Sequence, residues 1–344
     1  MRQPTLITGG AGFIGTNTAD RLLREGRRVR IVDDLSRAGV ERNLAWLEGE
    51  HGSALEVEIG DVTEAEVMRR AVAGVDAVFH FAAQVAVTTS LVDPVRDADV
   101  NVRGTMQLLE AVRDRPRPPA VVFTSTNKVY GSLGDVELHE GLERYMPKDP
   151  ALAAHGIGED RPLAFCTPYG CSKGAADQYV LDYAQSFHLP AVVFRMSCIY
   201  GPRQFGTEDQ GWVAHFLISA IEERPITIYG DGKQLRDVLY VDDLVDALLL
   251  ARGRARELAG RAFNIGGGPA NTISLIELMA MIGELTGETP NTCTSPWRQG
   301  DQRYYVSDTR AFERATGWRP VVDPERGVAA LYAWLGAVRE RAAA

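Results

Sequence analysis

Lysine is scarce in this 344-residue chain: four copies stand against 33 arginines. Cysteine is as rare, with only Cys166, Cys171, Cys198 and Cys293. No two are spaced Cys-x-x-Cys and no histidine lies near them in a zinc-like pattern. That excludes a disulfide framework and a metal site, and reduced thiols are expected. No run of about 18 apolar residues occurs, which excludes a membrane-spanning helix and a membrane partner. Met1-Arg2-Gln3-Pro4 leads at once into a strand-like segment. No room for a signal peptide is expected there, and a cytoplasmic location follows as an expectation. Basic residues number 37 against 46 acidic ones, for a formal net charge of −9, and they are scattered. Without a basic stripe, nucleic acid is not an expected partner. An anionic small ligand stays open if a few cations converge locally.

The chain is 45% hydrophobic and 24% charged, and its length predicts about two domains of roughly 150 residues each. Gly (34) and Pro (17) are near average, which excludes a fibrous or low-complexity chain. Short apolar runs recur in the first half: Leu6-Ile7-Thr8, Val29 to Asp33, Val57-Glu58-Ile59, Ala77 to Phe81, Val121-Val122-Phe123 and Val192-Val193-Phe194. Helical patterns separate most of them. This alternation predicts an α/β fold with a doubly wound parallel sheet and ligands at the carboxyl ends of the strands. The second half is less regular. Helices are expected over 211–224 and 273–286, and short strands near 226–229, 237–241 and 262–266. The segment Gly131 to Thr167 shows no clear periodicity, so it is expected to be a lid or insertion.

Gly9-Gly10-Ala11-Gly12-Phe13-Ile14-Gly15 follows the first run and opens a helix. Gly9 permits a tight turn, Gly12 lets a pyrophosphate approach, and Gly15 lets the helix pack on its strand. The helix start offers free N–H groups to phosphate. Asp33 ends the second strand, 18 positions after Gly15. An acid there accepts hydrogen bonds from the adenosine ribose and disfavours a 2′-phosphate, so NAD is the expected cofactor. Arg37 nearby weakens that preference slightly.

Tyr169-Gly170-Cys171-Ser172-Lys173 follows Thr167-Pro168, which reads as a helix N-cap and first residue. Tyr169 and Lys173 then share a helix face. A free phenol titrates near 10, too high for a base at neutral pH. A nearby ammonium and an oxidised nicotinamide are expected to lower it, so that Tyr169 can take a hydroxyl proton. With 11 Tyr and four Lys, an accidental Tyr-x-x-x-Lys is expected about 0.13 times. Thr126, in Thr124-Ser125-Thr126-Asn127-Lys128-Val129-Tyr130-Gly131, offers a hydroxyl to share that proton.

Together these residues resemble the extended short-chain dehydrogenase/reductase family of nucleotide-sugar epimerases and dehydratases. The likeness covers nearly the whole chain. It includes Thr227 to Val238 and Gly300-Asp301-Gln302-Arg303. It is strongest to the branch that inverts C2 of a CDP-activated hexose. That branch is matched by Ser125 to Gly131, Pro168 to Tyr179, Arg203-Gln204-Phe205 with Asp209 to Val213, and Gln84 to Ser90.

The resemblance implies a Rossmann domain over 1–200 and 237–266, with a smaller α+β substrate domain over 201–236 and 267–344. It implies catalytic Thr126, Tyr169 and Lys173. It implies an NAD site lined by Gly9, Gly12, Phe13, Ile14, Gly15, Asp33, Asp34, Ser36, Arg37, Asp61 and Val62. Phe81, Ala82, Ala83, Gln84, Asn101, Thr124, Ser125, Tyr169, Lys173 and Met196 complete that lining. Substrate contacts are implied for Gln84, Thr88, Thr126, Asn127, Lys128, Ser197, Cys198, Arg203, Gln204, Trp212, Val213 and Tyr229. Lys233, Arg236 and Arg303, with Arg203, are the implied cations for the diphosphate.

Dehydratase relatives place Asp-Glu where this chain has Asn127-Lys128. An amide supplies no general acid, so dehydration is disfavoured. Lys128 as a carbon base keeps a 3,5-epimerase open, and a C4 epimerase, a nucleotide-sugar dehydrogenase and a non-catalytic NAD sensor are further alternatives. Arg195 to Tyr200 departs from the branch at Met196 and Cys198, beside the expected sugar ring. A homodimer or homotetramer is implied through helices near 95–113 and 168–187.

Overall fold

The computed structural model describes residues 3–343, which divide into two compact units. The first holds the described residues up to Val129, with Thr167–Arg195 and Val245–Phe263. The second holds Tyr130–Cys166, Met196–Leu244 and the described residues from Asn264 onward.

The first unit carries most of the seven-stranded sheet. Its strands are β1 (Thr5–Thr8), β2 (Val29–Asp33), β3 (Leu55–Ile59), β4 (Ala77–His80), β5 (Ala120–Thr126), β6 (Ala191–Met196) and β7 (Ala262–Ile265). Their order is β7-β6-β5-β4-β1-β2-β3. The pairings of β1 with β2 and β4, β2 with β3, and β4 with β5 are all parallel. Every residue of β1 and β4 is buried, as a strand covered on both faces requires. At the edge, β3 alternates instead, and its Ile59 is 56% exposed. The core joins Leu6, Val32, Val78, Val121 and Val193 of the strands to Leu108 and Val112 of the helix Gly104–Arg113 and Val180 of the helix Thr167–Ser186.

Strand order reverses between β1 and β4, the place where such sheets leave a crevice at their carboxyl ends. Thr8 pairs with both Val32 and His80 there. Beyond it the Gly9 amide donates to the Val32 carbonyl at 2.8 Å, and Phe81 donates to Thr8 at 3.1 Å. Two strand ends are thereby held side by side.

In the second unit, Leu235–Tyr240 pairs with Cys198–Tyr200, Thr272–Ile273 and Tyr304–Tyr305. Ile226–Tyr229 pairs with Thr292–Ser295. Helices Trp212–Ile221 and Leu275–Thr286 fall within or close to the expected spans. The second opens on a capping box in which Ser274 and Glu277 bond each other's backbone N–H. No described helix is long and apolar enough to cross a membrane.

Within Gly131 to Thr167, the residues up to Cys166 belong to the second unit and hold a hairpin, Leu138–Glu140 with Tyr145–Pro147, and a helix, Pro150–His155. Strands of three residues are too short to show a period. The helix start was nonetheless signalled: Asp149 caps Ala151 at 2.8 Å and Pro150 takes the first position.

Beneath the sheet's carboxyl end, the His80 Nδ1 meets Thr8 Oγ1 at 2.6 Å and its Nε2 meets Thr105 Oγ1 at 3.1 Å. Burial, helped by the charge of Lys173, pushes His80 down to about 3. The folded ring therefore stays neutral while an unfolded histidine takes up a proton below about 6.5. His80's contribution is full above that pH and is lost as pH falls toward 3. Urea unfolding should lose about 1.4 kcal/mol more per pH unit between 6 and 4 in wild type than in His80→Gln. Parallel slopes in the two proteins would show that His80 is not held neutral.

Candidate active site

The glycine loop forms as its spacing requires. Gly9 has φ +68°, and a Cβ there would lie 2.7 Å from the Ala82 nitrogen. A Cβ on Gly15 would lie 2.2 Å from the Gly9 carbonyl oxygen, so nothing larger fits between loop and helix. The helix Phe13–Arg24 starts at Gly12 with no side-chain cap. Its first N–H groups are left for a ligand, the arrangement that suits a phosphate.

Asp33 closes the loop from β2. Its Oδ2 accepts from the Ala11 amide at 3.0 Å and its Oδ1 from Leu35 at 3.0 Å. Burial raises its pKa despite those bonds. Asp34 accepts from Ser36, and Asp61 from Thr63. Arg96 binds Asp61 at 2.9 Å and lies 3.8 Å from Asp34. Burial would raise Asp61, but Thr63 and Arg96 prevail and hold it below its ordinary value. Exposed Arg37, and Phe13 and Ile14 at the helix start, sit in the same loop region. Val62 is instead buried in the core. Gln84 Oε1, Thr88 Oγ1 and Ser125 Oγ are buried with no hydrogen-bond partner. An uncapped helix start, a glycine cradle and these polar atoms fit a dinucleotide.

Tyr169 and Lys173 lie in the helix Thr167–Ser186. Thr167 sits at φ +65°, and its hydroxyl accepts from the Gly170 amide at 3.4 Å. This helix buries Ser172, Lys173 and Asp177 beside Ala176 and Val180. Charges so placed demand partners. Asp177 has one, the Arg195 guanidinium of β6, through bonds of 2.9 and 3.0 Å. Lys173 Nζ sits 4.3 Å from the Phe123 ring centre. The Thr126 hydroxyl lies beside the Tyr169 phenol and favours its ionised form, and Thr126 Oγ1 donates to Asn127 Oδ1 at 3.4 Å.

The predicted Tyr169 titration needs correction. Burial pushes the phenol up to about 12, the Thr126 hydroxyl opposes that, and the Asp97 charge adds to it. Burial likewise pushes Lys173 down to about 7, against the charges of Asp177 and Asp97. Desolvation outweighs the expected help from the ammonium. The chain alone does not make Tyr169 a base at neutral pH.

Missed by motif reading was the network behind this pair. Asn101 lies in a π-helical turn, Asp99–Arg103, where one residue too many is packed into the coil. Its side chain accepts from Gln84 N at 2.9 Å and donates to Gln84 O at 3.1 Å and Ser172 Oγ at 2.9 Å. Ser172 in turn donates to Asp97 at 2.5 Å. The π turn carries no sequence signature. Asp97 follows a visible Asp93-Pro94 helix start but belongs to no motif.

The second unit's predicted residues fare unevenly. Val213 is packed in that unit's apolar core and is corrected. Arg236 is nearly buried, with Nη2 bonded to Asp301 at 2.7 Å and to the Gln302 carbonyl, so its charge is already matched. Ser197 is committed to buried Asp237. Lys233 pairs with Glu140 at 2.7 Å and Gln204 donates to Ile199. Tyr229 donates to Glu208 beneath Arg298, 3.7 Å from its ring centre. Arg303 is exposed, between the Tyr145 and Trp297 rings at 5.5 and 5.4 Å. Arg203 faces the Trp334 ring at 5.7 Å. Met196, Cys198 and Trp212 are half-buried. Lys128, assigned to the first unit, donates its amide to Thr126 Oγ1 at 3.2 Å. No cluster able to hold a metal occurs among the described residues.

A sequence profile of the NAD dependent epimerase/dehydratase family matches residues 5–266. The chain belongs to that family. Its coenzyme is NAD. The chain is 41% identical to CDP-paratose 2-epimerase of Salmonella typhi, over 97% of this chain and 99% of that protein. It is 36% identical to dTDP-glucose 4,6-dehydratase of Streptomyces griseus, over 97% and 94%. The solved UDP-glucuronic acid 4-epimerase of Bacillus cereus, in complex with UDP-glucuronic acid and NAD, superposes with a TM-score of 0.83. It is 26% identical and the match covers 97% of this chain and 99% of that one.

Gly15→Ala must push the helix start away from Gly9. NAD affinity, read by equilibrium dialysis, should fall at least about tenfold, or 1.4 kcal/mol. Unchanged affinity would mean that the loop does not hold the pyrophosphate.

Proposed function

We propose that the chain is an NAD-dependent epimerase that inverts C2 of a CDP-activated hexose through a transient 2-keto sugar. The observation that carries this is Tyr169 placed beside the Thr126 hydroxyl and one helical turn from buried Lys173. The relative that is 41% identical supports the choice of C2 and of a CDP-sugar.

Bound NAD supplies the acceptor that takes hydride from the sugar carbon and later returns it. The rest falls to side chains. Tyr169 takes the C2 hydroxyl proton as the C–H bond breaks, and Thr126 holds the oxygen that becomes the ketone. When the keto sugar has turned its other face, hydride returns to C2 and Tyr169 gives the proton back. The reaction ends with no net oxidation. Because the ligand-free phenol sits near 12, Tyr169 becomes a base only when positive charge is placed beside it. Lys173, when protonated, supplies part of that charge and a donor for the ribose. Asn127 next to Thr126 offers an amide where expulsion of water needs an acid, so the sugar keeps its hydroxyls. Arg203, Lys233 and Arg303 are the side chains we assign to the diphosphate.

CDP-, UDP-, GDP- and dTDP-hexoses incubated with the enzyme in heavy water decide the matter. C2 of the CDP-sugar should invert with no deuterium entering carbon. Deuterium at C3 or C5 would refute hydride return, and accumulation of NADH would mark a net dehydrogenase. Tyr169→Phe should lower kcat by about 10²–10⁴-fold. Wild-type turnover in that variant would remove Tyr169 from the mechanism.

A further inference from the structure

The hairpin Leu138–Glu140 with Tyr145–Pro147 lies against the loop that carries Lys233, and Tyr145 and Arg144 fix it there. The Tyr145 amide donates to the Lys233 carbonyl at 3.0 Å, and the Tyr145 hydroxyl donates to Asp231 at 2.5 Å. Asp231 also accepts from the Lys233 amide at 3.0 Å, so loop and hairpin are braced together. Arg144 bonds Glu277 at 2.6 Å and Thr272 at 3.2 Å. None of these bonds involves the Glu140 side chain. Yet Glu140, opposite Tyr145 in the hairpin, sets its Oε1 2.7 Å from Lys233 Nζ. The hairpin does not need that ion pair for its position, so the pair calls for another account.

We propose that Glu140 is an internal competitor for the diphosphate: it holds Lys233 in the free enzyme and is displaced when a nucleoside diphosphate binds. The proposal rests on the assignment of Lys233 to the diphosphate made above. Exposure gives the exchange its direction. The Glu140 side chain is 61% exposed and that of Lys233 only 21%, so the carboxylate returns to water at little cost. An ion pair this open is weak. A diphosphate carries more than one negative charge and several acceptor oxygens, and it prevails over a single carboxylate at the same ammonium. The two anions do not share Lys233 comfortably, because a carboxylate kept at 2.7 Å would face the incoming phosphate at close range.

Arg236 makes the contrast. Its partner Asp301 is only 22% exposed, and the Gln302 carbonyl holds the same nitrogen, so no such exchange is available there. The Glu140–Lys233 pair also acts on selectivity. A neutral sugar has nothing with which to replace the carboxylate, whereas an anionic ligand does.

CDP and UDP titrated calorimetrically into the NAD-loaded enzyme test the exchange. Glu140→Gln keeps the size of the side chain and removes its charge. It should raise the affinity for both nucleotides about threefold, because the competitor acts on the diphosphate and not on the base. Lys233→Met should lower affinity, and in that background Glu140→Gln should change nothing, since both effects pass through one ammonium. A glutamate that merely anchors the hairpin gives the opposite result: Glu140→Gln would bind the nucleotides equally or more weakly, and that overturns the proposal. A gain that persists without Lys233 overturns it too. The outcomes separate the competition from the reading beneath it. If Lys233→Met weakens binding and Glu140→Gln does not strengthen it, Lys233 keeps its diphosphate and only the competition falls. If Lys233→Met binds both nucleotides as wild type does, the assignment of Lys233 is wrong and the competition goes with it.

Discussion

Taking an ammonium out of water is the constraint around which the first unit is arranged. Lys173 lies within a helix whose inward face, by ordinary patterning, would be apolar. Its presence forces the neighbourhood to answer. Asp177, on the same helix, is held in a buried ion pair with Arg195 of β6. A phenylalanine ring faces the charge. A histidine beneath the sheet gives up its proton. Burying polar groups costs several kcal/mol each unless they are satisfied, so a fold that keeps this many is paying for something other than stability.

Desolvation also explains why the free chain is not a poised catalyst. The phenol and the amine are each driven toward neutrality, in opposite directions from their working states.

Much of this could be read from the residues themselves. Glycines at 9, 12 and 15, an acid at 33 and a Tyr-x-x-x-Lys each answer a local demand, so a short string of residues suffices to find them. The parallel sheet was legible because strands covered on both faces read as unbroken apolar runs. Asp97, Ser172 and Asn101 were a different matter: three separate stretches meet only in the folded unit, and nothing in any one of them announces the others. The Tyr169 titration was misjudged for a related reason. Spacing shows which groups are neighbours, but how much water they have lost depends on the whole core. Val213 erred likewise, since a residue inside a family-like string can face its own interior.

The π turn at Asp99–Arg103 carries a further implication. It exists because one residue more than an α-helical coil accommodates lies between Pro94–Ala98 and Gly104–Arg113. Removing any single residue from it would let the coil close regularly and swing everything on one side through about 100°. The amide that grips Gln84 would then look elsewhere, although every side chain chosen for the task remained in the chain. Here the number of residues is the inherited information, and a substitution scan would never reveal it.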